Sequence, residues 1–130
     1  ECYDNCTFDH CFNKGKITSE ESGSGIVDYA EFAHIMCCYN EGETDCGGGS
    51  GGISSSIMDS DLSNCYNTGN IQACKVLDGS DVGGIVGFAQ DSDVSNCYVD
   101  CTVSDDKEYS MIISSAYGGL FYEGQLESRN

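Results

Sequence analysis

The sequence predicts an all-β protein: a parallel β-solenoid (β-helix) of about four coils, stapled by disulfides, with loop insertions on one side. Three observations lead there. A motif recurs about every 27 residues, ten cysteines occur in 130 residues, and short β-branched runs are broken by Gly, Asn, Asp and Ser.

The repeat is clearest in Cys11-Phe12-Asn13-Lys14-Gly15, Cys38-Tyr39-Asn40-Glu41-Gly42, Cys65-Tyr66-Asn67-Thr68-Gly69 and Cys97-Tyr98-Val99-Asp100-Cys101. The first two steps between leading cysteines are equal, and the third is longer. Gly25-Ile26, Gly52-Ile53 and Gly84-Ile85 open at one and the same distance before Cys38, Cys65 and Cys97, and Gly119-Leu120 reads as a further copy. Apolar Phe8, Ile35, Leu62 and Val94 stand three positions before the cysteines, Ala30, Ile57 and Ala89 eight before, and Ile17, Thr44, Ile71 and Val103 six after. The stretch from each cysteine to the next Gly-Ile varies, with five extra positions between Cys65 and Ile85 and eight between Cys97 and Leu120. Fixed stretches read as strands and turns, variable ones as a loop on one side of a stack.

One such coil cannot bury its own apolar face, so it stacks on its neighbours with equivalent residues about 4.8 Å apart. The expected division is one domain, 1–130, in coils of approximately 1–25, 26–52, 53–84 and 85–130. Residues 26–38 carry a helix-like spacing, but the equivalent 85–97 contain Gly87 and the run Asp91-Ser92-Asp93, which make a poor helix. Asn and Gly two positions apart after each aromatic suit a tight turn with positive φ.

Gly83-Gly84-Ile85-Val86-Gly87 and Leu62-Ser63-Asn64-Cys65-Tyr66-Asn67-Thr68-Gly69-Asn70-Ile71 resemble GLUG-type repeats of bacterial cell-surface proteins. The resemblance covers roughly residues 8–125 and is clearest over 51–104. It implies a solenoid-like surface module associated with adhesion or with a larger secreted protein, and it supplies no catalytic residues. The chain departs from the pattern at Asp28 and Ser55, which replace the second Gly, and at Val99 and Cys101, which replace Asn and Gly.

Charge narrows the partners. With 22 acidic and 5 basic residues the net charge is -17, which repels nucleic acid and anionic membranes. No apolar stretch reaches the roughly 18 residues of a membrane helix. The chain starts at Glu1 without Met, as a processed or partial chain would. So many cysteines without a C-x2-C pair favour disulfides over structural zinc and an extracellular or cell-surface location.

The cysteines divide into a column, Cys11, Cys38, Cys65 and Cys97, and six others: Cys2, Cys6, Cys37, Cys46, Cys74 and Cys101. The column is read either as a ladder of small buried hydrophobes or as bridges between adjacent coils. Cys46 and Cys74, which follow their column cysteines by eight and nine positions, are the first pair expected to bridge. Cys37 is expected to face away from Cys38.

Two histidines without a supporting motif give no triad, so no enzyme is expected. Cys2, Cys6 and His10, four apart, would offer zinc three ligands on a helix, but Phe8 fits the strand pattern. Asp78, Asp81, Asp91 and Asp93 are weak candidates for Ca²⁺, against a solvated acidic face. The run Gly47-Gly48-Gly49-Ser50-Gly51-Gly52 lacks the Lys of a phosphate loop and reads as a connection. Asn5-Cys6-Thr7 is an N-glycosylation sequon with Asn5 as acceptor.

Neither end of the repeat shows an amphipathic cap, so end-to-end self-association is expected, as in a fibre or adhesin stalk. Cys2-Tyr3-Asp4-Asn5-Cys6-Thr7 resembles Cys97-Tyr98-Val99-Asp100-Cys101-Thr102, which suggests terminal cysteines bridging between subunits. The alternative is a monomeric module, calcium-stabilised or not, that binds glycans or host surface proteins through an outward row of Tyr39, Tyr66 and Tyr98.

Overall fold

The computed structural model describes residues 1–73, 81–104, 112–118 and 126–128. The first turn of the stack holds β1 (Thr7–Asp9), β2 (Phe12–Asn13), β3 (Ile17–Ser19) and β4 (Gly23–Ser24). The second holds β5 (Val27–Glu31), β6 (His34–Met36), β7 (Tyr39–Asn40), β8 (Thr44–Cys46) and β9 (Ser50–Gly51). The third holds β10 (Ser54–Met58), β11 (Asp61–Ser63), β12 (Tyr66–Asn67), β13 (Ile71–Ala73) and β14 (Val82–Gly83). In the fourth come β15 (Val86–Gln90), β16 (Asp93–Ser95), β17 (Cys97–Val99) and β18 (Val103–Ser104), and β19 (Ile113–Tyr117) and β20 (Leu126–Ser128) lie above it.

Among the described residues no strand pairs with its chain neighbour. Each pairs in parallel with its equivalent one turn away, giving sheets ordered β1-β6-β11-β16, β5-β10-β15-β19, β2-β7-β12-β17-β20, β3-β8-β13-β18 and β4-β9-β14. The chain is therefore an all-β parallel solenoid, and the columns read from the sequence stand in register. Phe8, Ile35, Leu62 and Val94 align, as do Ala30, Ile57, Ala89 and Ala116, and Ile17, Thr44, Ile71 and Val103. Their inner members, with Ile53, Ile85 and Cys38, Cys65 and Cys97, make a narrow core that runs along the axis.

The register corrects two expectations. Val86 lies opposite Ile113, and the Ile85 amide donates to the Ile112 carbonyl at 2.9 Å, so the last copy of the repeat opens at Ile112. Met111-Ile112 stands there in place of Gly-Ile, which hides the landmark. Gly119 and Leu120, which mimic it, lie outside the described residues, and no insertion of eight separates the fourth turn from β19. The extra positions of the third turn are also localised: Ala73 is in register with Cys46, and Val82 with Ser50. They fall between Ala73 and Val82.

The turn chemistry is also elsewhere than expected. Positive φ falls at His10, Cys37, Asn64 and Asn96 (50–55°), and at Asn5, Phe32, Asp59 and Asp91 (46–54°), with Gly118 at 62°. These are two columns of left-handed corners, one preceding each column cysteine and one following each long strand. A left-handed L-residue costs roughly 1–2 kcal/mol, least for Asn and Asp, whose side chains bond locally. With Asp4, these two residue types supply six of the nine left-handed positions apart from glycine.

The Asn and Gly that looked like a turn instead point inward. The Asn40 Nδ2 donates to the Gly42 carbonyl (2.8 Å) and to the Oδ1 of Asn67 one turn away (2.8 Å), while its own Oδ1 accepts from the Gly42 amide (3.2 Å) and from the Asn13 Nδ2 (2.9 Å). Asn67 repeats the pattern with Gly69 at 3.0 and 3.1 Å and donates to the Gly84 carbonyl at 3.0 Å. Glycine is required at the facing position, because a Cβ on Gly52 would collide with both the Asn67 Cγ and the Gly84 carbonyl oxygen. The Gly-Ile landmark and the Asn-x-Gly landmark are thus two halves of one contact.

Buried polar groups left unpaired cost about 1–3 kcal/mol each. Asn67→Ala orphans the Gly69 amide and the Asn40 side-chain donor, and it should lower unfolding free energy by about 2–4 kcal/mol in urea titration. Asn13→Ala, on the half-exposed first turn, should cost about 1 kcal/mol or less. Equal losses at the two positions would contradict a ladder whose strength comes from burial.

Candidate functional site

The column cysteines are thiols, and each of the inner three turns its Sγ to the carbonyl two positions back: Cys38 to Met36, Cys65 to Ser63 and Cys97 to Ser95, all at 3.2 Å. Burial pushes the Cys38 thiol up to about 12. The neighbouring Cys97 and burial both raise Cys65, and Cys65 in turn lowers Cys97. Burial also raises Cys46, and takes Cys101 to about 11. Cys46 is a buried thiol in register with Ala73, and its expected partner Cys74 lies outside the described residues.

The terminal cysteines behave differently. Cys2 and Cys6 form a disulfide with Cα atoms 6.4 Å apart. This corrects the expectation that they bridge between subunits and dissolves the Cys2, Cys6 and His10 zinc set. The likeness to Cys97-Tyr98 is not structural, because Cys2 pairs instead beside Ala30, donating to Tyr29 and accepting from Glu31. Cys37 occupies a corner, half-buried.

On the outside of the β2-β7-β12 sheet the aromatics form a ladder. Phe12 and Tyr39 stack at 5.2 Å and 8°, and Tyr39 and Tyr66 at 4.9 Å and 3°. The rings therefore spend their faces on one another and present edges to solvent. A sugar is held by an open ring face, and Tyr39, stacked on both sides, offers none, while Phe12 is 60% exposed. Lys14 lies 5.9 Å from the Phe12 and Tyr39 ring centroids and pairs with Glu41 at 3.2 Å. Lys16 pairs with Glu43 at 2.8 Å. Each carboxylate raises its lysine's pKa.

Phe12 belongs to a wider pattern at this end of the stack. Phe8, Cys11, Asn13 and Ile17 are half-buried, although Ile35, Leu62, Cys38, Asn40 and Ile71 one or two turns inward are fully buried. Among the described residues no strand pairs with the outer edges of β1, β2 and β3.

A groove of about 370 Å³ runs across the β5-β10-β15 face, lined by Tyr3, Tyr29 and Phe88 and by Asp28, Ser55 and Asp81. Asp28 is held by Ser22 at 3.1 Å and by Ser55 at 2.5 Å, and Asp81 accepts from Ser114 at 3.3 Å. Of the calcium candidates, Asp81 precedes β14, Asp91 and Asp93 lie beyond the far end of β15, and Asp78 lies outside the described residues. The three described do not converge. Among the described residues, three ligand atoms come within 4.8 Å of one another at Asp9, His10 and Cys37, a set the sequence reading missed because it joins two turns. Asn5 is exposed on its left-handed corner. Among the described residues no helix is long and apolar enough to cross a membrane.

Residues 78–104 match the GLUG motif, found in bacterial surface and repeat proteins. The matched stretch has the length of a single turn. No curated protein and no solved structure matches the chain.

A thiol raised by burial keeps a proton that the unfolded chain gives up above about pH 8.5. Stability is therefore whole below that pH and is lost as pH climbs toward the folded value. Under reducing conditions the urea midpoint should fall between about pH 8 and pH 10.5, and Cys38→Ala should flatten the fall. An unchanged slope in the variant would show that Cys38 is not the cause. In alkylation with mass-spectrometric readout, Cys37 and Cys11 should react well before Cys38, Cys46 and Cys65.

Proposed function

We propose that this GLUG-bearing solenoid is a non-enzymatic, extracellular structural segment of a cell-surface fibre or adhesin stalk whose turns continue end to end. The observation that carries the reading is the first turn. Phe8, Cys11, Phe12, Asn13 and Ile17 keep the register of the inner core, ladder and aromatic stack, yet stand partly open where the inner turns are closed. A further turn laid on β1, β2 and β3 would bury all of them and pair the strand edges that no described strand covers. The next turn of a longer array or a second copy would fit equally, since either brings the same columns.

Other features support it. The net charge of -17 keeps such rods apart sideways, while contact at the ends is apolar and hydrogen-bonded. The exposed Asn5 could carry a glycan without disturbing the stack. His10, at a left-handed corner, and His34, the first residue of β6, each stand beside a carboxylate, Asp9 and Asp61, rather than together in one site.

A second reading, a monomeric adhesion module for neutral glycans, draws on the groove rather than on the tyrosine row. Its aromatic and carboxylate lining and its volume suit a sugar. Glycan-array binding abolished by Tyr29→Ala and unaffected by Tyr66→Ala would favour it.

Negative-stain electron microscopy and sedimentation of the native, unreduced protein separate the two. The stalk reading expects rods that lengthen with concentration, and Phe12→Glu should shorten them. Compact single particles at every concentration would overturn end-to-end assembly of this chain.

A further inference from the structure

The corner before each column cysteine carries His10, Cys37, Asn64 and Asn96 in successive turns, all left-handed. In the third and fourth turns the stacked side chains satisfy each other, since the Asn96 amide donates to the Asn64 Oδ1. In the first two turns the same column holds an imidazole and a thiol. Cys37 gains nothing from this backbone, because it has no amide or carboxylate to bond locally, as Asn does. A strained residue that gives no local return is where a function should be sought.

Asp9, the last residue of β1, completes the set. Its Oδ1 lies 2.5 Å from the His10 Nδ1, and the ligand atoms of Asp9, His10 and Cys37 all fall within 4.8 Å of one another. The backbone fixes the corner from both sides: the His10 amide donates to the Met36 carbonyl and the Cys37 amide to the Ser63 carbonyl, each at 3.2 Å.

We propose that Asp9, His10 and Cys37 form a zinc-class metal site that clamps the first turn to the second. One nitrogen, one sulfur and one oxygen suit a borderline-soft ion and not Ca²⁺ or Mg²⁺, which take oxygen alone. Bonds of about 2.0–2.3 Å set tetrahedral ligand atoms about 3.3–3.6 Å apart. The Asp9–His10 pair therefore opens by about 1 Å, within reach of two exposed side chains, and Cys37, whose sulfur is already within 4.8 Å of both, completes the set. On binding, neutral His10 passes to the tautomer protonated at Nε2, which frees Nδ1 for the metal, while the Cys37 thiol releases its proton to solvent and the thiolate takes the metal. The fourth position faces outward and takes water, because Asp9 and His10 are exposed. The metal cross-links adjacent turns at the end of the stack whose outer edges no described strand covers, so it holds the first turn against fraying.

Cobalt is the probe, added anaerobically to the full chain with its Cys2–Cys6 disulfide intact, so that Cys37 stays a thiol. The wild type should take one equivalent and show thiolate-to-cobalt charge-transfer absorption, and zinc should displace the cobalt. Cys37→Asn should lose that absorption, and His10→Asn should keep it while weakening binding about tenfold or more. Asn is the native residue at this corner in the third and fourth turns, so both variants should fold, which urea midpoints without metal will check. Zinc should raise the thermal midpoint of the wild type and leave that of Cys37→Asn unmoved. Absorption that survives in Cys37→Asn, or is missing from the wild type at stoichiometric cobalt, would overturn the site.

Discussion

The structure depends on side-chain amides that bond along the stack as well as within their own turn. Asn40 joins Gly42 in its own turn to Asn13 and Asn67 in the turns on either side. A parallel solenoid places like residues above one another, which is costly for charges and neutral for hydrocarbon. For an amide it is favourable, because each carries both a donor and an acceptor. Burial makes the arrangement stringent: an amide out of register by a single position would leave several polar groups dry. Such a ladder fixes the vertical register, and the apolar columns then fall into place beside it.

The same logic explains the landmarks. Asn67 needs room against the backbone of the facing segment, and Gly52 gives it, so the two residues stand on opposite sides of one turn and in contact across its interior. Where the fourth turn has Val99 and Cys101 in place of Asn and Gly, the ladder stops, and the Asn67 Nδ2 turns to the Gly84 carbonyl and the Cys101 sulfur. The departure from the repeat pattern is thus an end to the polar ladder inside an unbroken apolar core.

Much of this was legible in the sequence because in-register stacking converts spacing directly into contact. Phe8, Ile35, Leu62 and Val94 needed only a count along the chain to be placed in one column. The failures have separate physical causes. Corners depend on φ, and left-handed φ is available to Asn, Asp and His without announcing itself, so spacing alone does not mark Asn64 and His10 as corners. Met111-Ile112 fills a turn position without the glycine that marks the others, which shifted the last copy to Gly119-Leu120. The candidate metal set was invisible for a different reason: Asp9 and His10 meet Cys37 only once the chain has closed a full turn. The stacked ring faces, which leave little for a sugar to bind, depend on rotamers that no spacing reveals.

Nuclear magnetic resonance of the Asn side-chain amides tests the ladder most directly. The account predicts that the Nδ2 protons of Asn40 and Asn67 exchange slowly with water and show cross-relaxation to one another across adjacent turns, while those of exposed Asn5 exchange at the solvent rate. Fast exchange at Asn40 and Asn67, in a protein otherwise folded, would contradict it.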